Sequence, residues 1–133
     1  MLWGKYDALI LDLDGVVYIG DRAVPNAIES LNSVANIVRI SAATNNASRS
    51  PAQVAIHLRE LGLAIDDSDV VTSALAGARL IASLVPPDSQ VLVVGGSGVE
   101  SSIREFGLHP IRATKNHESN GIIAQEVEGV IQG

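Results

Sequence analysis

The chain alternates short apolar runs with segments in which apolar residues recur every three or four positions. The short runs have few polar positions, which is typical of strands buried in a parallel sheet. The spaced segments are typical of amphipathic helices. The predicted strands are Leu9–Asp12, Val38–Thr44, Val70–Thr72 and Val91–Val94, with weaker candidates at Ile111 and Val127–Ile131. Helices are predicted after Pro25, from Pro51 to a stop at Gly62, over Leu75–Val85, and from Ser97 to Phe106. This alternation predicts an α/β fold built on a parallel sheet.

Two of the predicted helices begin with a capping-box pattern, a serine followed three residues later by glutamine or glutamate. One pattern is Ser50-Pro51-Ala52-Gln53 and the other is Ser97-Gly98-Val99-Glu100. The glycines of Gly95–Gly98 also invite comparison with a dinucleotide-binding loop, but Ser101 stands where its third glycine is needed. We interpret this segment as a tight strand-to-helix turn.

Two carboxylates follow the first predicted strand. Asp12 and Asp14 stand one residue apart at the end of the apolar run, and Gly15 follows them. Because residues i and i+2 of a strand share a face, both side chains are expected to leave the strand's carboxyl end together. Open α/β sheets place their ligands at that edge. Since two like charges repel, the pair favours a divalent cation with oxygen ligands.

The acid pair has two other interpretations. Paired acids after a strand are often only solvated turn residues, and this alternative stays open for Asp12 and Asp14 taken alone. A calcium-binding EF-hand loop starting at Asp12 is excluded. Val16, Val17 and Ala23 stand where such a loop needs an oxygen ligand, a glycine and a glutamate.

Polar residues also follow the second predicted strand. Thr44, Asn45 and Asn46 supply a hydroxyl and two amides at a strand end, which are good donors for an anionic oxygen. The alternative is a loop that merely leads into a capped helix. Capping accounts for Ser50 and Pro51 but leaves the three preceding polar residues unexplained.

Together, the segments Asp12–Tyr18 and Thr44–Ser50 resemble the haloacid dehalogenase superfamily. More closely, the chain is similar to NagD-type phosphatases, and among these to actinobacterial glycerol-3-phosphate phosphatases. The resemblance runs from about Lys5 to Gly133. It implies a Rossmann-like parallel sheet with an inserted α/β cap domain, of which this chain covers only the first parts. Residues 1–73 would be the N-terminal part of the core domain, and residues 74–133 the first part of the cap domain.

The resemblance also implies a role for each motif residue. Asp12 would be the nucleophile that forms an aspartyl-phosphate, and Asp14 would protonate the leaving oxygen and later activate water. Mg²⁺ would bind the Asp12 carboxylate and the Asp14 backbone carbonyl. Thr44 would donate a hydrogen bond to the phosphoryl oxygens, with Asn45 and Asn46 shaping the same pocket. Covalent catalysis divides one hard displacement into two easier ones, and the metal offsets the repulsion between anions.

The chain departs from the family pattern in what it lacks. Complete members also have a lysine that pairs with the nucleophile and later acids that finish the metal site. Lys5 precedes the first strand and Lys115 falls in the predicted cap domain, so neither suits the first role. The acids at 66, 67 and 69 precede the third strand, at the wrong end of the sheet for the second. We expect both features beyond residue 133, so the isolated chain should be incomplete for catalysis.

Composition narrows the function classes. The 133 residues include 47% hydrophobic and 18% charged residues, no cysteine, and a net charge of −6. The negative charge argues against a nucleic-acid partner, and the absence of an 18-residue apolar run argues against a membrane partner. With no cysteine and no visible signal peptide, a cytoplasmic location is expected. The three histidines, His57, His109 and His117, lack the spacing of metal ligands.

Two hypotheses of different class follow. The first is a Mg²⁺-dependent phosphomonoesterase that acts on small phosphorylated metabolites, such as glycerol 3-phosphate, or on p-nitrophenyl phosphate. The second is a non-catalytic metal- or phosphate-binding fragment or phosphoacceptor module. In both cases the expected partner is a small phosphorylated molecule, and homo-oligomerisation is left open.

Overall fold

The computed structural model describes the backbone of residues 2–112 and the side chains of residues 4–112. Its strands are β1 (Ala8–Asp12), β2 (Tyr18–Ile19), β3 (Arg22–Ala23), β4 (Arg39–Thr44), β5 (Val70–Thr72), β6 (Gln90–Val93) and β7 (His109–Arg112). Its α-helices are α1 (Ala27–Val34), α2 (Pro51–Glu60), α3 (Ser73–Leu84) and α4 (Ser97–Glu105). The predicted strand at Val127–Ile131 lies outside the described residues. Within them, no helix is long and apolar enough to span a membrane.

The central sheet is parallel, as the apolar runs predict. Its strand order is β1-β4-β5. In the register of this sheet, Asp12 lies opposite Ala43 and Thr44 lies opposite Thr72. A second parallel pair joins β6 to β7, and β2 and β3 form a short antiparallel hairpin. The predicted α/β fold with a parallel sheet is therefore confirmed.

The two faces of the central sheet differ in their covering. One face packs against α1 and α2, and its strand residues belong to the main buried cluster. That cluster contains Leu11, Leu13, Val17, Tyr18, Val34, Val38, Ile40, Ala42, Val54, Ala55, Leu58, Leu63, Ile65 and Val70. On the opposite face, the side chains of Ile10 and Val71 are 77% and 44% exposed. Within the described residues, this second face is largely uncovered.

A smaller buried cluster forms around the second parallel pair. Ala78 of α3, Val93 of β6, Ile103 of α4 and Leu108 pack together there. Arg112 pairs with Glu100, which ties the end of β7 to the first turn of α4. This cluster gathers the later elements of the described chain around a core of their own.

One of the two predicted capping boxes forms and the other does not. At α2, the Ser50 hydroxyl accepts a hydrogen bond from the Gln53 N–H, and the Gln53 side chain accepts one from the Ser50 N–H. At α4 the prediction is wrong, because Gly96 is the N-cap residue and no side chain caps the helix. Ser97 is already the first helical residue, so its hydroxyl lies one position too late for the box.

Two of the three acids that precede β5 have structural partners at the amino end of the sheet. Asp69 pairs with Arg39, the first residue of β4. Asp67 pairs with Arg59 at 3.1 Å. These carboxylates therefore lie at the opposite end of the sheet from the carboxyl edge, in agreement with their exclusion from the predicted metal site.

Candidate active site

The carboxyl ends of the three central strands form one polar edge. Asp12 is the last residue of β1, Thr44 of β4 and Thr72 of β5. In a parallel sheet these ends lie side by side, and ligands of open α/β sheets bind there. The Asp12 carboxylate is exposed at this edge, and its Oδ1 accepts a hydrogen bond from the Leu13 N–H at 2.9 Å.

Asp14 reaches the edge by a different route from the one predicted. The strand stops at Asp12, and the chain then turns tightly around the Leu13 carbonyl, which accepts N–H groups from Val16, Val17 and Tyr18 at 2.9–3.2 Å. Gly15 has φ +82°, a conformation that glycine adopts without strain. Asp14 therefore lies beyond the end of β1, in an isolated bridge with Tyr18, and the strand alternation inferred from the sequence does not place its side chain.

The turn brings Asp14 to the end of the neighbouring strand. The Thr44 hydroxyl lies 3.4 Å from Asp14 Oδ2, and its oxygen accepts the Asn46 N–H at 3.1 Å. Thr44 is only 5% exposed. The Thr44 hydroxyl oxygen accepts the Asn46 N–H, and the hydroxyl proton is donated toward Asp14 Oδ2. Asp14 and Thr44, the two candidates from separate motifs, are thus in contact.

The two asparagines have different surroundings. Asn46 Oδ1 accepts hydrogen bonds from the N–H and the hydroxyl of Ser48, at 3.0 and 2.5 Å, so this side chain folds the loop on itself. Asn45 is exposed, and its backbone carbonyl accepts the Ser73 hydroxyl at 3.0 Å. Of the two, Asn45 has the side chain that is not bound within the loop.

An open cavity of about 470 Å³ adjoins this edge. It is lined by Asp12, Thr44 and Asn45 together with Ile10, Ala43, Val71, Thr72, Ser73 and Ala76. Three of the five predicted site residues therefore border one cavity. It extends over the uncovered face of the sheet.

Tyr18 is a residue at this site to which the sequence analysis gave no role. Its side chain is buried, and its ring packs edge-on against His57 with centroids 4.8 Å apart. Burial raises the pKa of the Tyr18 phenol, the nearby Asp14 and Asp12 carboxylates raise it further, and the positive charge of Arg49 opposes them. The phenol therefore stays protonated at neutral pH. The signal available in the sequence was its position within the first motif.

The donors at the edge suit a hard divalent cation. Mg²⁺ prefers carboxylate and carbonyl oxygens together with water. Asp12 offers the carboxylate oxygen that Leu13 does not bind. In the turn, the Leu13 and Tyr18 carbonyls accept backbone hydrogen bonds. The Asp14 carbonyl accepts none of these bonds, so it is available to a cation. In residues 2–112 no three acids, histidines or cysteines cluster as metal ligands, so water, substrate or residues outside this range would complete the coordination.

Comparison with known proteins identifies the family. A model of the haloacid dehalogenase-like hydrolases matches residues 9–109. The chain belongs to this family. D-glycerol 3-phosphate phosphatase of Mycobacterium tuberculosis is 42% identical to it over 108 residues. An acid sugar phosphatase of Staphylococcus aureus is 39% identical over 107 residues.

Solved structures agree with this assignment. The glycerol phosphate phosphatase of M. tuberculosis in complex with magnesium matches 84% of this chain with a TM-score of 0.77 and 40% identity. A p-nitrophenyl phosphatase from Archaeoglobus fulgidus, at 24% identity and a TM-score of 0.71, shares the fold.

The chain covers a minor part of each relative. It spans 30% of the curated M. tuberculosis enzyme, 40% of the S. aureus enzyme and 33% of the magnesium-bound structure, while 81%, 78% and 84% of this chain is matched. The predicted superfamily membership is therefore confirmed, together with the expectation that the chain corresponds to only part of such a protein.

Proposed function

We propose that the protein containing this chain is a Mg²⁺-dependent phosphomonoesterase that works through an aspartyl-phosphate. The observation that carries the proposal is the contact between Asp14 and Thr44 beside Asp12, at the carboxyl edge of the sheet. This contact joins the motif that contains Asp12 and Asp14 to the motif that contains Thr44, and a phosphoryl-transfer site of this family needs both. The relatives named as phosphatases support the reaction class.

In the first step, an Asp12 oxygen attacks the phosphorus atom and the bond to the substrate's alcohol oxygen breaks. The hydrogen bond from the Leu13 N–H to Oδ1 orients the Asp12 carboxylate for this attack. Asp14 gives its proton to the departing alkoxide. Thr44 donates its hydroxyl proton to a phosphoryl oxygen, and positioning of this kind supplies much of the catalysis in phosphoryl transfer.

In the second step, the Asp14 carboxylate takes a proton from water. The water oxygen attacks phosphorus, the bond from phosphorus to Asp12 breaks, and inorganic phosphate leaves. Asp14 thus acts as acid and then as base. Mg²⁺, when bound by the Asp12 carboxylate and the Asp14 carbonyl, would offset the negative charge on nucleophile and phosphate.

The proposed substrate is a small phosphorylated metabolite, with glycerol 3-phosphate as the first candidate. This choice rests on the relative that is 42% identical and is named for that substrate. We also propose that the boundary between core and cap domains lies near Ser73, where α3 begins; the two separate buried clusters support it.

A direct test measures release of inorganic phosphate from glycerol 3-phosphate and from p-nitrophenyl phosphate by the complete protein. We expect turnover with Mg²⁺, little with Ca²⁺, and none in excess chelator. The larger ion tolerates looser coordination, so it holds nucleophile and phosphate less well in line. Full activity in chelator would contradict the metal assignment.

The alternative is a module that binds metal or phosphate without turnover. The observation in its favour is that only two predicted acids meet at the edge within residues 2–112. Phosphate binding with no release of product from either substrate would favour this alternative.

A further inference from the structure

The first turn of α4 packs directly on the backbone of the loop that follows β4. Gly98 is buried there, and a β carbon at this position would lie 2.5 Å from the Ala47 carbonyl oxygen. It would also lie 3.0 Å from two backbone atoms of Arg49. Such distances are too short for a real side chain. The absence of a side chain at position 98 is therefore what allows this contact.

The same loop is held from its other side by the candidate phosphate-binding residues. Asn46 donates its N–H to Thr44 Oγ1, and Asn46 Oδ1 accepts the Ser48 N–H. The loop thus lies between Thr44 and the first turn of α4. Any displacement of the backbone around Ala47 would be transmitted to Asn46 and then to the Thr44 hydroxyl.

Gly98 itself is anchored from within α4. The hydroxyls of Ser101 and Ser102 both donate to the Gly98 carbonyl, at 3.1 and 2.9 Å, and Ser102 is 1% exposed. If a side chain at position 98 clashed with the loop, these hydrogen bonds would therefore resist movement of the helix turn. Asn46, Ser48 and Arg49 of the loop are exposed, so we expect the loop to yield first.

We propose that Gly98 is a positioning residue for the phosphate-binding loop. By letting α4 contact the Ala47–Arg49 backbone, it holds Asn46 and through it Thr44 at the strand end. This inference rests on the proposed phosphatase function, since it gives the loop a catalytic purpose. It also links the region predicted to be the cap domain to the site by a contact of backbone on backbone.

The test is Gly98→Ala in the complete protein, with two matched controls. A β carbon at Gly77, inside α3, meets nothing within 4 Å, and one at Gly96 meets the Ser48 Cα at an ordinary 3.5 Å. By helix propensity alone, alanine should stabilise the protein at both helical positions, 77 and 98. Relief of the clash at position 98 instead needs a shift of about 1 Å, given ordinary carbon contact distances.

We expect Gly98→Ala to lower kcat/KM for p-nitrophenyl phosphate by about tenfold to a hundredfold, the scale of a 1 Å misplacement at a site. Gly77→Ala and Gly96→Ala should stay within about twofold of wild type. Assays are run well below the melting temperature, so that a loss of folded protein does not imitate the effect. Equal losses in Gly77→Ala and Gly98→Ala would overturn the proposal.

A second readout does not depend on activity. Amide hydrogen exchange should rise at Asn46 and Ser48 in Gly98→Ala and remain unchanged in the central strands. A variant that folds with unchanged exchange and unchanged kcat/KM would show that Gly98 has only a packing role. If the wild type hydrolyses neither substrate, the proposed function fails, and exchange alone decides whether Gly98 positions the loop.

If Gly98→Ala does not fold, Gly96→Val provides a milder push. Gly96 has extended backbone angles that valine can adopt, and its β carbon would face Ser48 at 3.5 Å. The branched side chain should reproduce the increase in exchange at Ser48, whereas Gly96→Ala should not. Identical exchange in both Gly96 variants would count against the proposal.

Discussion

At the scale of residues, the site depends on a few polar atoms with assigned directions. The Thr44 hydroxyl lies between the Asn46 N–H and the Asp14 carboxylate, and Leu13 fixes one oxygen of Asp12. These contacts make the proposed roles separable. A change to one side chain should affect one step and leave the fold in place.

Asp12→Asn in the complete protein should abolish phosphatase turnover. The amide keeps the volume of the carboxylate but removes the nucleophile, and with it the covalent path. Asp7→Asn, an exposed carboxylate just before β1, is the control and should leave kcat unchanged. Steady-state kinetics and thermal unfolding check both variants. Turnover of Asp12→Asn within about tenfold of wild type would contradict a covalent role.

Thr44→Val should lower kcat/KM by about 1–3 kcal/mol of transition-state stabilisation, the range for a hydrogen bond to a charged group. Thr72→Val is a close control, because Thr72 ends the next strand on the same face and its hydroxyl caps α3 by accepting the Leu75 N–H. This control should lose stability but should lose less kcat/KM than Thr44→Val, because Thr72 lines the same cavity while its hydroxyl is engaged by Leu75. Unchanged kcat/KM in a folded Thr44→Val variant would show that the Thr44 hydroxyl does not stabilise the transition state.

At the scale of elements, most of the predicted pattern forms, and the exceptions have physical causes. The parallel strands and the α2 capping box were predictable because they depend on residues adjacent in sequence. The α4 capping box was not, since Gly96 is the N-cap of that helix and its first turn packs on a loop distant in the chain.

The candidate site shows the same limit. The sequence motifs identified Asp12, Asp14 and Thr44 as candidate residues of one site. They did not reveal that Asp14 reaches Thr44 through a turn around the Leu13 carbonyl. Nor did they identify Tyr18, whose contact with His57 joins the hairpin to α2. Contacts between elements decide these features, and local patterns do not encode them.

The α2 capping box gives a prediction at this scale. Ser50→Ala removes the hydroxyl that accepts the Gln53 N–H and should lower the free energy of unfolding by about 1 kcal/mol. Ser83→Ala is the control, because the Ser83 hydroxyl is exposed and bonds to the Leu80 carbonyl within α3. Denaturant unfolding compares the two. An equal loss in both would indicate that the cap contributes nothing of its own.

At the scale of the whole molecule, the central sheet is covered on one face only within residues 2–112. Ile10 and Val71 are exposed on the other face, and β1 pairs with β4 alone in this range. Apolar side chains and unpaired strand edges of this kind favour association.

The 133-residue chain on its own should therefore self-associate and hydrolyse p-nitrophenyl phosphate poorly compared with the complete protein. Ile10→Lys should reduce the association seen by sedimentation, because it places a charge on the uncovered face. Ile37→Lys changes an isoleucine that is 62% exposed elsewhere and should not. A monodisperse wild-type monomer with turnover comparable to the complete protein would contradict both expectations.

The register of the central sheet has a consequence for how such a chain can change in evolution. Thr44 lies opposite Thr72 and shares its face, while Ala43 lies opposite Asp12. Inserting or deleting one residue inside β4 would turn every side chain beyond it to the other face. The hydroxyl would then leave Asp14, although no residue with a proposed chemical role had been replaced. A length change between α1 and β4 leaves the alternation intact. Lineages can therefore vary the length of the connection between α1 and β4, but must preserve the residue count within the strand that ends at Thr44.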